Sequence, residues 1–82
     1  MATVRYYGEL AAKMGIKEES YPGATVSQVL SKIKKAHGSE LYHEAKRCHI
    51  IVDHCNAGTE KGFRTAVGEN SVVEFVPVCG GG

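Results

Sequence analysis

The chain opens with alternating apolar and polar positions, which is the pattern of a β-strand. Residues 3–7 (TVRYY) are rich in β-branched and aromatic side chains, and such residues favour strands. Val4 and Tyr6 lie two positions apart, so they share one face. Gly8 then predicts the end of this first strand.

Two weaker elements follow. Residues 9–14 predict one or two helical turns in which Leu10 and Met14, four positions apart, both face inward. Residues 17–21 are mostly polar and predict an edge strand that returns antiparallel to the first strand. A Pro-Gly pair at positions 22–23 predicts the turn that closes this unit.

The strongest local signal is a helix that begins after Thr25. Gln28 follows Thr25 by three positions, which is the spacing of a capping box. Apolar residues then recur at the spacing of one helical face. They are Val26, Val29, Leu30 and Ile33. Gly38 is placed for a left-handed cap, so we expect the helix to end there and its apolar stripe to face a sheet.

The second half of the chain predicts mostly strands. Residues 39–45 predict a short helical turn with Leu41 and Tyr42 inward, and residues 48–54 predict a strand. Its more apolar face would carry Cys48, Ile50 and Val52. Residues 56–58 (NAG) predict the next turn.

The last third predicts two more strands. Residues 62–67 would form a short strand with Phe63, Thr65 and Val67 on one side, and residues 68–70 would turn the chain. Residues 71–78 (SVVEFVPV) predict a final strand that leads directly into glycines. The order is β-β-α-β-β-β, which indicates an α+β fold with a mixed sheet crossed by one main helix.

Length and composition restrict the function. The sequence has 82 residues and a formal net charge of +1, with acidic and basic residues interspersed, so we expect one small domain without a nucleic-acid surface. It has no apolar run of roughly 20 residues, so we expect no membrane partner. Three cysteines, Cys48, Cys55 and Cys79, do not form a disulfide framework, which indicates a reducing, cytoplasmic location.

The sequence ends in Cys79 followed by Gly80, Gly81 and Gly82. A tail without side chains can enter a channel too narrow for other residues, and its terminal carboxylate is then the group available for reaction. Ordering glycines costs much conformational entropy, so such a tail is useful mainly where a partner receives it. The alternative interpretation is a frayed terminus or a linker.

Three segments carry a resemblance to a known family. Residues 4–10 (VRYYGEL), 22–30 (PGATVSQVL) and 68–78 (GENSVVEFVPV) resemble the ubiquitin-like sulfur carriers, and most closely the small subunits of molybdopterin synthase. The resemblance covers nearly the whole chain. It implies a ubiquitin-like β-grasp domain over residues 1–78 and a flexible, reactive tail over residues 79–82.

The resemblance also implies a reaction at Gly82. In that family an ATP-dependent partner related to ubiquitin-activating enzymes adenylates the terminal carboxylate, which then becomes a sulfur-donating thiocarboxylate. The large subunit of molybdopterin synthase receives the tail and passes the sulfur to a pterin precursor. We therefore expect a chain that is not catalytic alone and binds no cofactor, with ATP used by the activating partner.

The residues that would contact partners follow from the same resemblance. The tail and its base would enter the partner, and an exposed sheet face would dock against it. The expected tail residues are Pro77, Val78, Cys79, Gly80 and Gly81, and the expected surface residues are Phe75, Val76, Ile51 and Phe63.

Other functions stay open at this stage. A sulfur carrier for thiamine or cysteine biosynthesis, a ubiquitin-like modifier joined to lysines through Gly82, and an interaction module with an unreactive tail share the same features. A zinc site at Cys48, His49, His54 and Cys55 is disfavoured, because a strand places Cys48 and His54 about 20 Å apart. A cysteine-histidine hydrolase is disfavoured because so small a domain leaves little room for a substrate pocket.

Overall fold

The computed structural model describes residues 1–22, 24–56 and 62–77. These residues form one five-stranded sheet, three α-helices and one turn of 3₁₀ helix at Gly62–Arg64. The strands are β1 Ala2–Tyr6, β2 Glu18–Tyr21, β3 His49–Val52, β4 Cys55–Asn56 and β5 Val72–Val76, and the helices are α1 Gly8–Met14, α2 Val26–His37 and α3 Ser39–Lys46. The expected α+β fold with a mixed sheet and one long helix is confirmed.

The sheet has the strand order β2-β1-β5-β3-β4. β1 and β5 are parallel neighbours, with Thr3 opposite Val72 and Tyr6 opposite Phe75. The other neighbours are antiparallel, including the predicted return of β2 along the edge of β1. The two strands most distant in sequence therefore pair in the middle of the sheet.

The helices cover one face of the sheet and bury the core there. The predicted inward residues of β1, α1 and α2 are all buried. The buried apolar residues are Ala2, Val4, Tyr6, Leu10, Met14, Val26, Val29, Leu30, Ile33, Ala45, Ile50, Val52, Val67, Val73 and Phe75. Leu41 and Tyr42 pack against this core as expected, but α3 is a complete helix of 8 residues and its buried residue is Ala45.

α2 begins at the predicted cap, with one difference. The backbone N–H of Gln28 donates to Thr25 Oγ1 at 3.3 Å, while the Gln28 side chain accepts from the backbone N–H of Ala24 at 2.6 Å. Both bonds satisfy donors near the helix start. At the other end Gly38 has φ 96° and ψ 167°, which is not left-handed helical, so that expectation is wrong. This conformation lets α3 start directly at Ser39.

A two-residue turn replaces the end of the strand predicted over residues 48–54. Asp53 and His54 have φ values of 50° and 70°, and Val52 pairs with Cys55 across them. Positive φ at both central residues is the requirement of a type I′ hairpin. The turn predicted at residues 56–58 is wrong at Asn56, which lies in β4, and residues 57–58 lie outside the described residues.

Asp53 also joins this hairpin to the start of β5. Its carboxylate accepts from the Ser71 hydroxyl at 2.7 Å and from the Val72 N–H at 2.9 Å. The Asp53 N–H donates to the Val72 carbonyl at 2.9 Å. The bond from Ser71, and then that from Val72, hold the pKa of Asp53 below its ordinary value.

The strand predicted over residues 62–67 is wrong. The chain instead makes a 3₁₀ turn at Gly62–Arg64, closed by Thr65 Oγ1 donating to the Gly62 carbonyl at 2.7 Å. An isolated bridge joins Ala66 to Thr25. This segment therefore braces the start of α2.

Candidate functional site

β5 reaches the end of the described chain beside the junction of β1 and α1. The Tyr7 N–H donates to the Phe75 carbonyl at 3.2 Å. Gly8 has φ 59°, and a Cβ built there would lie 3.5 Å from Cγ of Pro77. Pro77 therefore lies next to Gly8, so the described chain ends beside the start of α1. The other expected tail residues, which lie outside the described residues, are Val78, Cys79, Gly80, Gly81 and Gly82.

The four expected surface residues do not form one surface. Phe75 is 0% exposed and belongs to the core, so its expected place on an exposed face is wrong. Val76 and Ile51 are half-buried and alternate with the buried residues of their strands. Phe63 is 42% exposed, but its ring lies 5.7 Å from Nζ of Lys46 in α3, on the side of the sheet that carries the helices.

The open face of the sheet is polar near the tail base. Arg5 Nε contacts Glu18 Oε1 at 3.0 Å, and this bond to Glu18 raises the pKa of Arg5. The Tyr7 hydroxyl donates to Glu74 Oε2 at 2.5 Å, which raises the pKa of Tyr7. Glu74 in turn lies opposite Ile51 in the sheet. A partner on this face would therefore meet the Arg5–Glu18 ion pair and the Tyr7–Glu74 hydrogen bond.

An open groove of about 720 Å³ lies between the end of β1, helix α1 and the start of β2. Its lining includes Tyr7, Gly8, Ala12, Ile16 and Lys17. Gly8 also contacts Pro77, so the groove begins beside the base of the tail. Sequence reasoning missed this feature, because Ile16 stands alone between a glycine and polar residues and shows no periodicity.

A half-buried polar cluster links β1, β2 and α2. The Glu19 carboxylate accepts from the Tyr6 hydroxyl at 2.5 Å and contacts His37 Nε2 at 2.8 Å. Burial works to raise the pKa of Glu19, but the hydrogen bonds from Tyr6 and His37 outweigh it and leave that pKa below its ordinary value. The buried Tyr21 hydroxyl has no hydrogen-bond partner among the described residues. Sequence reasoning did not identify this cluster, for which the shared strand face of Glu19 and Tyr21 is only a weak signal.

The cysteines and histidines in the described part of the chain do not form a cluster. Cys48 is half-buried and its Sγ donates to the Glu44 carbonyl at 3.3 Å. Burial raises the pKa of this thiol, which makes it a weaker nucleophile. Cys55 is exposed. Among residues 1–22, 24–56 and 62–77, no three histidine, cysteine or carboxylate side chains come together as metal ligands would.

Within the part of the chain that the structure describes, no helix is both long and apolar enough to cross a membrane.

Sequence comparison decides the family. The family model described as "ThiS family" matches residues 4–82, nearly the whole chain and including the terminal glycines. The chain belongs to the ThiS family. No curated protein matches the sequence.

Solved structures show the same fold as this ThiS-family chain. Small archaeal modifier protein 1 (SAMP1) from Methanosarcina acetivorans superposes with a TM-score of 0.87 at 17% identity, covering 99% of this chain and 95% of that one. Mycobacterium tuberculosis CysO gives 0.83 at 20% identity, covering 95% and 99%. A putative molybdopterin converting factor, subunit 1, from Pyrococcus furiosus gives 0.71 at 23% identity, covering 93% and 94%.

These similarities confirm the resemblance to ubiquitin-like sulfur carriers and the β-grasp fold. The ThiS-family chain has the architecture that carriers and modifiers share, with its parallel β1 and β5 in the middle of the sheet. Since all three identities lie below 25%, the structures support the fold and do not distinguish one pathway from another.

Proposed function

We propose that this chain is a sulfur carrier that works at the carboxylate of Gly82, in the biosynthesis of molybdopterin. The observation that carries the proposal is the family match through residue 82, where β5 leads past Pro77 into a run of glycines. Pro77 lies next to Gly8, so in this proposal the sheet provides the base of a narrow tail. Residues 4–10 and 68–78, which resemble the small subunit of molybdopterin synthase, favour this pathway.

The chemistry requires activation because a carboxylate is a poor electrophile. In the proposed cycle, Gly82 attacks the α-phosphate of ATP on an adenylating partner, which releases pyrophosphate and forms an acyl adenylate. Sulfur at the oxidation level of hydrosulfide, supplied by the activating system, then displaces AMP from the acyl adenylate. This step forms a C–S bond and releases one proton. The thiocarboxylate sulfur then forms a C–S bond to a pterin precursor on a larger subunit and displaces an oxygen leaving group there. Water cleaves the acyl–sulfur bond, which leaves the sulfur on the precursor and restores the carboxylate of Gly82.

The proposal gives this chain and its partners separate roles. Of the described cysteines, Cys48 is turned into the fold by its bond to Glu44, and Cys55 lies exposed in β4. In the proposal, partners supply the catalytic groups and the ATP site. This chain supplies the carboxylate and the surface around its base.

Intact mass spectrometry of untagged protein from its own host tests the proposal. Replacement of one oxygen by sulfur on Gly82 is the expected result. Peptides in which Gly82 is joined to a lysine would instead indicate a protein modifier. A terminus that carries neither change during growth that requires molybdenum cofactor would contradict a carrier function.

Loss of the gene tests the pathway. The expected result is loss of molybdenum-dependent enzyme activity, restored by the wild-type chain and not by a chain that lacks residues 81–82. A requirement for added thiamine or cysteine, with normal molybdenum-dependent activity, would assign the carrier to one of those pathways instead. A variant lacking only Gly82 asks whether the third glycine is needed.

A further inference from the structure

The groove beside the tail base is lined by apolar side chains that the fold leaves uncovered. Tyr7 and Ile16 are 39% and 37% exposed, and both line the groove together with Ala11 and Ala12. They are two of the four large exposed apolar residues in the described part of the chain. Apolar side chains gathered in one concave surface are typical of a binding site, whereas scattered ones are not.

Of the three charged side chains that line this groove, one is not balanced by an ion pair in the described part of the chain. Arg5 and Glu18 pair with each other at 3.0 Å, so they largely cancel. Lys17 also lines the groove and forms no ion pair with any residue of the described ranges. A complementary ligand therefore needs an apolar group for the groove and a negative charge facing Lys17.

The length of the tail determines which partner must reach this groove. Under the proposed function, the carboxylate of Gly82 reacts at the partner's ATP site, only five residues beyond Pro77. Five extended residues span roughly 17 Å. The ATP site of the adenylating partner must therefore lie within this distance of Pro77, which brings the partner's surface within reach of Gly8 and the mouth of the groove.

We propose that the adenylating partner seats an apolar side chain in this groove, between Tyr7 and Ile16, and places a carboxylate opposite Lys17. This inference rests on the proposed function and adds a recognition site to it. The chain's own tail is a poor occupant, because its last three residues are glycines and have no side chains to fill an apolar groove.

The test is ATP–pyrophosphate exchange by the host's adenylating enzyme, measured against the concentration of this chain. Ile16→Ser should raise the half-saturating concentration about tenfold, because an apolar contact of one side chain is lost. Lys17→Glu should raise it about fivefold, and more at low salt. Maximal exchange should stay near wild type in both. Ile16 and Lys17 are exposed, so circular dichroism should show an unchanged fold.

Two variants serve as matched controls. Ile16→Val keeps the apolar contact, and Lys35→Glu makes the same charge change on α2, away from the groove. Both should stay within about twofold of wild type. If Lys17→Glu and Lys35→Glu raise the half-saturating concentration equally, the effect depends only on net charge, and the inference is overturned.

Other outcomes identify other occupants and also overturn it. If removal of residues 78–82 shifts the amide NMR signals of Ile16 and Lys17 in the isolated chain, the tail itself fills the groove. If sedimentation shows a dimer that Ile16→Ser dissociates, the occupant is a second copy. If the half-saturating concentration of Ile16→Ser equals that of wild type, the groove inference alone is overturned. If the wild-type chain itself supports no ATP–pyrophosphate exchange, the proposed function is overturned as well.

Discussion

Pro77, the last described residue of the chain, lies next to Gly8, the first residue of α1. The glycine has φ 59°, and a Cβ added to it would meet Cγ of Pro77 at 3.5 Å, an ordinary van der Waals distance. The constraint at this position is therefore the left-handed backbone and not a lack of space.

Gly8→Ala is expected to lower the free energy of unfolding by about 1–2 kcal/mol, because a left-handed backbone is unfavourable for residues with a Cβ. Gly15→Ala is the matched control, since Gly15 has φ 77° and no atom within 4 Å of its added Cβ. Urea denaturation should show similar losses for both. A much larger loss of stability for Gly8→Ala than for Gly15→Ala would contradict the 3.5 Å distance between the added Cβ and Pro77.

Glu19→Gln is expected to destabilise the protein by about 1–3 kcal/mol at neutral pH, because the carboxylate accepts hydrogen bonds from Tyr6 and His37 in a half-buried site. The folded protein holds the pKa of Glu19 below its ordinary value. The contribution of the charged form is therefore complete above that value and is lost as the pH falls through the lower, folded-state pKa.

Urea unfolding at a series of pH values measures this effect. The difference between wild type and Glu19→Gln should shrink as the pH falls below the ordinary carboxyl range. Glu18→Gln, on the open face beside Arg5, should cost at most about 1 kcal/mol. A difference that is constant down to the acid transition would show that the charge of Glu19 contributes nothing.

Asp53→Ala is expected to lower the free energy of unfolding by about 2–3 kcal/mol, since it removes the bonds to Ser71 and Val72 and places alanine at φ 50°. Asp53→Gly tolerates that φ and should lose only the part due to the carboxylate, about 1–2 kcal/mol. Thermal unfolding of the two variants separates these causes. Equal losses would assign the whole effect to the carboxylate.

Phe75→Ala is expected to cost about 3–5 kcal/mol, because this ring is fully buried and packs against Tyr6 with centroids 5.9 Å apart. Phe63→Ala should cost less than about 1 kcal/mol, since the ring is 42% exposed. Urea denaturation compares them, with Phe75→Leu as a milder change if the alanine variant is too unstable. Similar costs would contradict the placement of Phe75 in the core.

The sequence predicted the elements in which two independent signals agree. For α2, a capping pair at Thr25 and Gln28 coincides with an apolar stripe of helical period. β1 and β5 are short runs of strand-forming residues that glycine or proline limits. Such elements bury a face that the pattern already defines, so tertiary packing has no reason to change them.

Other features depend on contacts between segments distant in sequence. In β5, Val72, Val73, Phe75 and Val76 are all apolar, so alternation does not say which of them face the helices. The turn at Asp53 and His54 contains no glycine and is stabilised by Ser71 and Val72 instead. Residues 62–67 have the alternation of a strand but find no partner strand in the described sheet.

The candidate site also combines a feature that the sequence predicts with one that it does not. The glycine tail and its strand could be identified from residues alone, since few functions need a run of glycines after a strand. The groove at Tyr7 and Ile16 could not, because it arises where α1 and β2 diverge and neither segment signals it separately.

The parallel pairing of β1 with β5 means that the position of the strand before the tail depends on the folding of the rest of the sheet. Many residues separate Thr3 from Val72 along the sequence, so β5 pairs with β1 only when segments distant in the chain have come together. Under the proposed function, an enzyme that binds the tail together with Tyr7 would therefore act only on copies in which these two strands have paired.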